Sequence, residues 1–280
     1  MGGKRAGTAR SFVFLLVVAV GALVLWLAGC DRITSTYRSL RKSVTAKKER
    51  GPTRTTSRAI AGPKLAIILD DLGSDPEAAQ AIFALHGPLT ISVLPFHAHS
   101  TEIAEEARQH GIEVMLHLPM QAVGNELPEA QQLHSGMSAA ELALEVDAML
   151  KNVPTAVGVN NHEGSLATTD PKLMGDLMPL LKQRSLYFVD SRTTAATVAF
   201  DAAQQAGLQS GFRNVPFLDD VLEVGAIRKQ LELAIRGAQE KGAAIAIGHP
   251  HKETLEALRE ILPQAGTQGV QIVFVSQVVR

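Results

Sequence analysis

The chain has 280 residues, 46% apolar and 20% charged, enough to bury one large core or two small ones. Aromatic residues make up only 4%, which argues against a surface that stacks bases, and the single cysteine, Cys30, excludes an intrachain disulfide. The formal net charge of −1 hides an asymmetry: nine of the 27 Lys and Arg lie in 31–62 and three in the first ten residues, where only two of the 28 acids fall, so the remainder is acidic and no nucleic-acid partner is expected.

Residues 1–10 are short and basic, and 11–29 are apolar without a charge. A run of that length can span a bilayer, for which roughly 20 residues are needed. A basic head before an apolar run is also the form of an export signal. The run ends in Leu27-Ala28-Gly29-Cys30, which resembles the bacterial lipoprotein box, with Asp31 resembling the signal that retains lipoproteins in the inner membrane. That resemblance implies lipidation of Cys30; an uncleaved anchor helix is the alternative. More Lys and Arg follow the run than precede it, which taken alone would keep the remainder in the cytoplasm. The short basic start typical of exported chains decides for the outside. The expectation is a 1–30 signal or anchor in the inner membrane and a folded domain in the periplasm. Residues 31–62, polar, basic and rich in Ser and Thr, read as a flexible basic linker between them.

From residue 63 apolar strand-like runs alternate with helical stretches. Strands are predicted at 65–69, 90–94, 112–116, 156–159, 186–189, 211–215, 243–247 and 270–275, with helices at 75–85, 100–110, 171–183, 195–206, 224–241 and 252–262. Another helix opens at Ser138, with Glu141 three residues on, the spacing of a capping box. Seven or eight such βα units imply a parallel sheet. No Gly-rich phosphate loop follows the first strand, which favours a (β/α) barrel over an open dinucleotide-binding sheet.

The organising stretch is Leu65-Ala66-Ile67-Ile68-Leu69-Asp70-Asp71-Leu72-Gly73, an apolar strand running into two carboxylates. Neighbouring side chains at a strand end point in different directions, so one aspartate can bind a metal while the other handles a proton. The structural alternative is that Asp71 or Ser74 caps the helix starting near Pro76. His117, His162, Asp190 and His249 likewise follow predicted strands, and in a parallel barrel those ends converge on one face. His97, His99 and His251 are further candidates on that face, while His86, His110 and His134 are assigned to the surface. Asp and His together suit a borderline metal such as Zn²⁺ with an open position for water. Such an ion lowers the pKa of water and polarises a carbonyl, leaving a carboxylate and a histidine as base and acid. A buried polar network stitching the strand ends together is the structural alternative.

Six segments in order resemble the divergent polysaccharide deacetylase family: Ile67-Ile68-Leu69-Asp70-Asp71-Leu72-Gly73, Ser92-Val93-Leu94-Pro95, His117-Leu118-Pro119-Met120, Gly158-Val159-Asn160-Asn161-His162, Asp190-Ser191-Arg192-Thr193 and Gly248-His249-Pro250-His251. The resemblance implies an α/β fold, a deformed (β/α)7–8 barrel of the NodB type over 63–280. It implies a divalent metal and hydrolysis of N-acetyl groups on a polysaccharide such as peptidoglycan. It makes Asp70 the general base, Asp71 and His117 metal ligands and His249 the general acid. Gln121 stands where the NodB-type pattern has a second metal-binding histidine, and His162 is the spatial candidate to replace it. Asn160, Asn161, Asp190 and Arg192 are implied to bind substrate, stabilise an oxyanion or orient the acid and base. The alternatives are a catalytically inactive glycan-binding or envelope-scaffold protein and a cytoplasmic metal hydrolase acting on a small amide.

Overall fold

The computed structural model describes residues 62–124 and 129–280; the expected 1–30 membrane segment and all but the last residue of the expected 31–62 linker lie outside the described residues. The elements in chain order are β1 (Lys64–Leu72), α1 (Pro76–Phe83), β2 (Thr90–Val93), α2 (Ser100–Gln109), β3 (Glu113–Met120), α3 (Ala139–Asn152), β4 (Gly158–Glu163), α4 (Pro171–Gln183), β5 (Tyr187–Asp190), α5 (Ala199–Gln205), β6 (Ser210–Phe212), α6 (Val224–Lys241), β7 (Ala243–Gly248), α7 (Lys252–Ala265) and β8 (Gln271–Val273). Among the described residues, no helix is long and apolar enough to cross a membrane.

The strands form one parallel sheet in the order β6-β5-β4-β3-β2-β1-β7. β7 runs along one edge of β1, from Lys64 to Leu69. The opposite edge is shared: β8 pairs with Lys64 to Ala66, and β2 takes over from Ile68. The path ends β6 and β7 are bridged by the segment after β6. Asn214 N–H donates to the Ile245 carbonyl and Leu218 N–H to that of Ile247, both at 2.9 Å, while Ile245 N–H donates to Asn214 Oδ1 at 2.7 Å. The sheet thus curls into the expected barrel, with its deformation concentrated between β6 and β7.

Alternation along the strands sorts the core into two layers. Leu65, Ile67, Leu69, Val114, Leu116, Leu118, Val159 and Phe188 pack outward against the helices. Ala66, Ile68, Met115, Tyr187, Val189, Ile245 and Ile247 fill the barrel interior. Each buried aliphatic side chain contributes about 1.5–3 kcal/mol. Continuing the inward positions toward the C-terminal strand ends gives Asp70 after Ile68, Ser92 on β2, His117 after Met115, Asn160 after Gly158, and His249 after Ile247. The interior is apolar at its base and polar at its mouth.

Several strands run further than the sequence indicates, among them β1, which continues past residue 69 through Asp70 and Asp71 to Leu72, and β5, which ends on Asp190. β3 extends past residue 116 to Met120 and β4 past 159 to Glu163, paired from Met115–Gly158 to Met120–Glu163. His117, Asn160, Asn161 and His162 therefore lie within strands, not after them. Pro119 does not end β3, because proline removes only a donor and its carbonyl still accepts from Leu133 N–H at 2.9 Å. At α1 the cap is Asp75, whose carboxylate accepts from Glu77 N–H at 2.9 Å and Ala78 N–H at 3.1 Å; neither Asp71 nor Ser74 caps it. The capping box of Ser138 and Glu141 forms as expected. α5 starts at Ala199 instead of 195, where Asp190 reaches from β5 to accept from Phe200 N–H at 3.3 Å.

Gly158 faces its cross-strand neighbour Tyr187, whose ring fills the space a Cβ would occupy. Tyr187 is held by its hydroxyl, which donates to Glu113 Oε1 at 2.9 Å. Gly158→Ala is expected to lose about 1–3 kcal/mol of unfolding free energy through overpacking, measurable by denaturant titration.

Candidate metal and proton-transfer site

The site begins with a break in the alternation. After Asp70, which points into the barrel, Asp71 would ordinarily face the helices. The β1–β2 register shifts between Leu69 and Leu72, and Asp71 adopts a left-handed backbone with φ of 62°. Aspartate tolerates this conformation better than most residues, and such a bulge re-aims a side chain. Both carboxylates consequently reach one atom: His117 Nε2 is 3.1 Å from Asp71 Oδ1 and 3.7 Å from Asp70 Oδ2. The expectation that the two aspartates point in different directions does not hold.

His162 completes a triangle. Its Nδ1 lies 3.1 Å from Asp71 Oδ1 and 3.1 Å from His117 Nε2. Donors bound about 2.0–2.2 Å from a tetrahedral zinc are separated by about 3.3–3.6 Å, close to all three edges. One carboxylate and two imidazoles are also the donor types such an ion prefers. The residues thus fit a divalent metal, and Asp71, His117 and His162 are a group able to hold one. Gln121 is elsewhere: its main chain bonds to Leu133, Leu166 and Ala167, and its Oε1 accepts from Ser135 N–H at 3.4 Å.

Asn160 fixes the protonation of this triangle. Its Nδ2 donates to Asp70 Oδ1 at 2.9 Å and Oδ2 at 3.0 Å, and to Ser191 Oγ at 3.3 Å. Its Oδ1 accepts from Ser92 Oγ and lies 2.9 Å from His117 Nδ1. Turning the amide round would aim its oxygen at a carboxylate, so only this orientation is consistent. His117 Nδ1 therefore carries a proton, which leaves Nε2 as the nitrogen available to a metal. With none bound, burial disfavours charge on the imidazole, but Asp70 and Asp71 outweigh it and raise the ring above its ordinary value of 6.5, so that Nε2 donates to Asp71.

Burial pushes the Asp70 carboxyl above the usual range, aided by Asp71 and opposed by His117, His249 and the Asn160 hydrogen bond. Asp71 is moved the other way: burial raises it, but hydrogen bonds and charge from His117 and His162 hold it far below the usual range. Across the mouth, His249 Nε2 is 3.7 Å from Asp71 Oδ2. Its Nδ1 pairs with Asp219 Oδ1 at 2.9 Å, and its N–H donates to Asp219 Oδ2 at 2.5 Å. Thr254 Oγ1 adds a 2.9 Å bond to the same Oδ2. Burial disfavours charge on His249, yet Asp219, Asp70 and Asp71 outweigh it and push the imidazole up to about 9.

Three residues implied to bind substrate sit where substrate cannot reach. Asn160, Asn161 and Asp190 are each 0% exposed. Asn161 and Asp190 occupy helix-facing positions: Asn161 Oδ1 accepts from Ser191 N–H, and Asp190 accepts from Arg192 N–H, Thr197 Oγ1 and Phe200 N–H. They hold loops in place, as Asn160 holds the site. Arg192 is exposed, with its guanidinium 3.5 Å from the Phe212 ring centre. His97 is engaged with Ser74 and Glu129, His99 with Glu102, and neither joins the triangle. His86, His110 and His134 are exposed as expected. Sequence reasoning missed two residues. Asp219 was visible only as one of two aspartates after a short strand. Arg213 binds the carbonyls of Ser191, Arg192 and Val215 at 2.8, 3.0 and 2.6 Å, tying together the loops after β5 and β6.

A histidine raised on folding stabilises the fold fully below its ordinary value of 6.5, and that contribution is lost as pH rises through about 9. In metal-free protein the His249 ring is expected to titrate near 9 by NMR. In Asp219→Asn the midpoint should fall toward 6.5, and the stability gap between the two proteins should close as pH passes 9.

The family model for divergent polysaccharide deacetylases matches residues 67–279. An uncharacterized protein of Haemophilus influenzae is 39% identical over 204 residues, covering 73% of this chain and 72% of that one. The uncharacterized protein YibQ of Escherichia coli is 39% identical over 207 residues, covering 74% of this chain and 64% of its own, so this chain spans less than two thirds of that relative. An uncharacterized protein of Agrobacterium tumefaciens C58 shares the fold, with a TM-score of 0.73 at 23% identity over 79% of this chain and 91% of that one. A putative cellobiose-phosphate cleavage protein of Enterococcus faecalis V583 does so at a TM-score of 0.58 and 18% identity, over 78% of this chain and 100% of its own. With the family model covering the whole barrel from β1 to the last residues, this chain belongs to the divergent polysaccharide deacetylase family.

Proposed function

We propose that the protein removes N-acetyl groups from a cell-envelope polysaccharide, peptidoglycan or a related glycan, with a divalent metal held by Asp71, His117 and His162. Zinc suits the donor set. The observation that carries the reading is the 3.1 Å triangle of Asp71 Oδ1, His117 Nε2 and His162 Nδ1, with its tautomer fixed from behind by Asn160. A divalent ion held there would supply a Lewis acid for the N-acetyl carbonyl and would lower the pKa of water.

The chain's own groups handle the protons. Asp70, raised by burial and aimed at the same atom as Asp71, accepts the proton of the attacking water. His249, protonated at neutral pH, gives its proton to the departing amine. Asp219 holds the ring in place and favours its charged form. A cleft of about 400 Å³ bordered by Asp71, Leu72, His249 and Pro250 provides the approach, within the usual size range of ligand sites. Arg192, the only one of the four residues implied to bind substrate that has an exposed side chain, contacts the glycan. The apolar 11–29 stretch and Cys30 support a reaction at the membrane-tethered envelope face.

The test is acetate release from N-acetylated peptidoglycan strands and chitin oligosaccharides by metal-loaded protein. Asp70→Asn and His249→Ala, each loaded with one equivalent of metal, are expected to slow release by about 10²–10⁴-fold while that equivalent is retained. Glycan retention without acetate release by the wild-type protein would replace hydrolysis with a binding role.

A further inference from the structure

We propose that Asp219, His249 and His251 form a second divalent-cation site beside the triangle. One donor atom from each lies within 4.8 Å of the other two. The donor set, one carboxylate and two imidazoles, repeats that of the first site. The 2.9 Å separation of His249 Nδ1 and Asp219 Oδ1 is a hydrogen bond when the nitrogen carries a proton. The same separation is near the edge of a coordination polyhedron when it does not.

His251 supplies the third donor. It is exposed, it precedes α7 without a side-chain capping bond, and its imidazole has no hydrogen-bond partner among the described residues. Its ring centre is 5.9 Å from that of His249, and its N–H donates to the His249 carbonyl at 2.8 Å, which keeps the two rings on one turn around Pro250. The cleft between Asp71, Asp75, His249 and His251 leaves room for solvent on such an ion. The N-terminus of α7 disfavours positive charge near His251, but the carboxylates of Asp219 and, facing His249 at 3.7 Å, Asp71 oppose it.

A cation held here takes His249 away from Asp219 and from proton transfer. Excess divalent metal should therefore inhibit the protein that one equivalent activates; this consequence rests on the function proposed above, whereas the site itself does not. The full-length chain, stripped of metal, is titrated with Zn²⁺ in equilibrium dialysis. Wild type is expected to bind two equivalents, and His251→Ala and His117→Ala one each. His251→Ala should also lose the inhibition of acetate release above the first equivalent. One equivalent in wild type that His251→Ala keeps, or a second equivalent that survives His251→Ala, would overturn the second site. One equivalent that His117→Ala keeps and His251→Ala loses would uphold it and overturn the triangle instead.

Discussion

The site depends on a buried side-chain amide. Asn160 lies inside the barrel mouth with no exposed surface, so each of its polar atoms needs a partner. It finds them on β1, β2, β3 and in the turn after β5, through Asp70, Ser92, His117 and Ser191. The carboxylate of Asp70 admits only the NH₂ end, and that choice leaves the oxygen for His117. One steric and electrostatic decision thereby fixes both which nitrogen of His117 is left for a metal and the position of the base. Without it the two histidines and two aspartates would remain a cluster of charge with no defined tautomer.

The second constraint is strand alternation, and Asp71 is where it is broken. Among the described residues, non-glycine residues with positive φ number five, and four of them (Asp71, Phe96, Glu163 and Arg192) fall at or just after C-terminal strand ends. Such conformations cost of order 1–3 kcal/mol each and cluster where geometry serves a site. At Asp71 the gain is visible: the bulge brings to one histidine nitrogen a carboxylate that regular pleating would send to the helices. The apolar floor formed by Ile68, Met115, Val189 and Ile247 shields the cluster from below and raises the pKa of Asp70. The same burial that stabilises the barrel thus shapes the chemistry at its mouth.

Much of this was legible in the sequence, because parallel strands announce themselves as apolar runs and their polar ends collect on one face. The two aspartates, His117, His162 and His249 could be assembled from that rule, and residues 171–183 and 224–241 form the helices expected of them. The rule does not say how far a strand continues through polar residues, which is why β3 and β4 were cut short before His117 and Asn160. Parity would have helped: counting by twos from Val159 and Phe188 puts Asn161 and Asp190 on the helix side, away from any substrate. Asp219 was hidden for a different reason. It follows the three-residue strand β6, and its partnership with His249 depends on how the barrel closes between β6 and β7, which no local pattern records.

The measurement closest to the centre of this account is the metal content of the purified chain and of Asp71→Ala, His117→Ala and His162→Ala, the three made in a His251→Ala background so that the triangle alone is read, each dialysed against limiting zinc at one equivalent per chain. The account predicts close to full occupancy in the wild type and a large loss in all three variants. His162→Ala is the decisive case, since His162 is proposed as the third ligand in place of a histidine at the position of Gln121. Full retention of metal in that variant would contradict the triangle, and an unbound wild type would leave the barrel mouth a polar network without a metal.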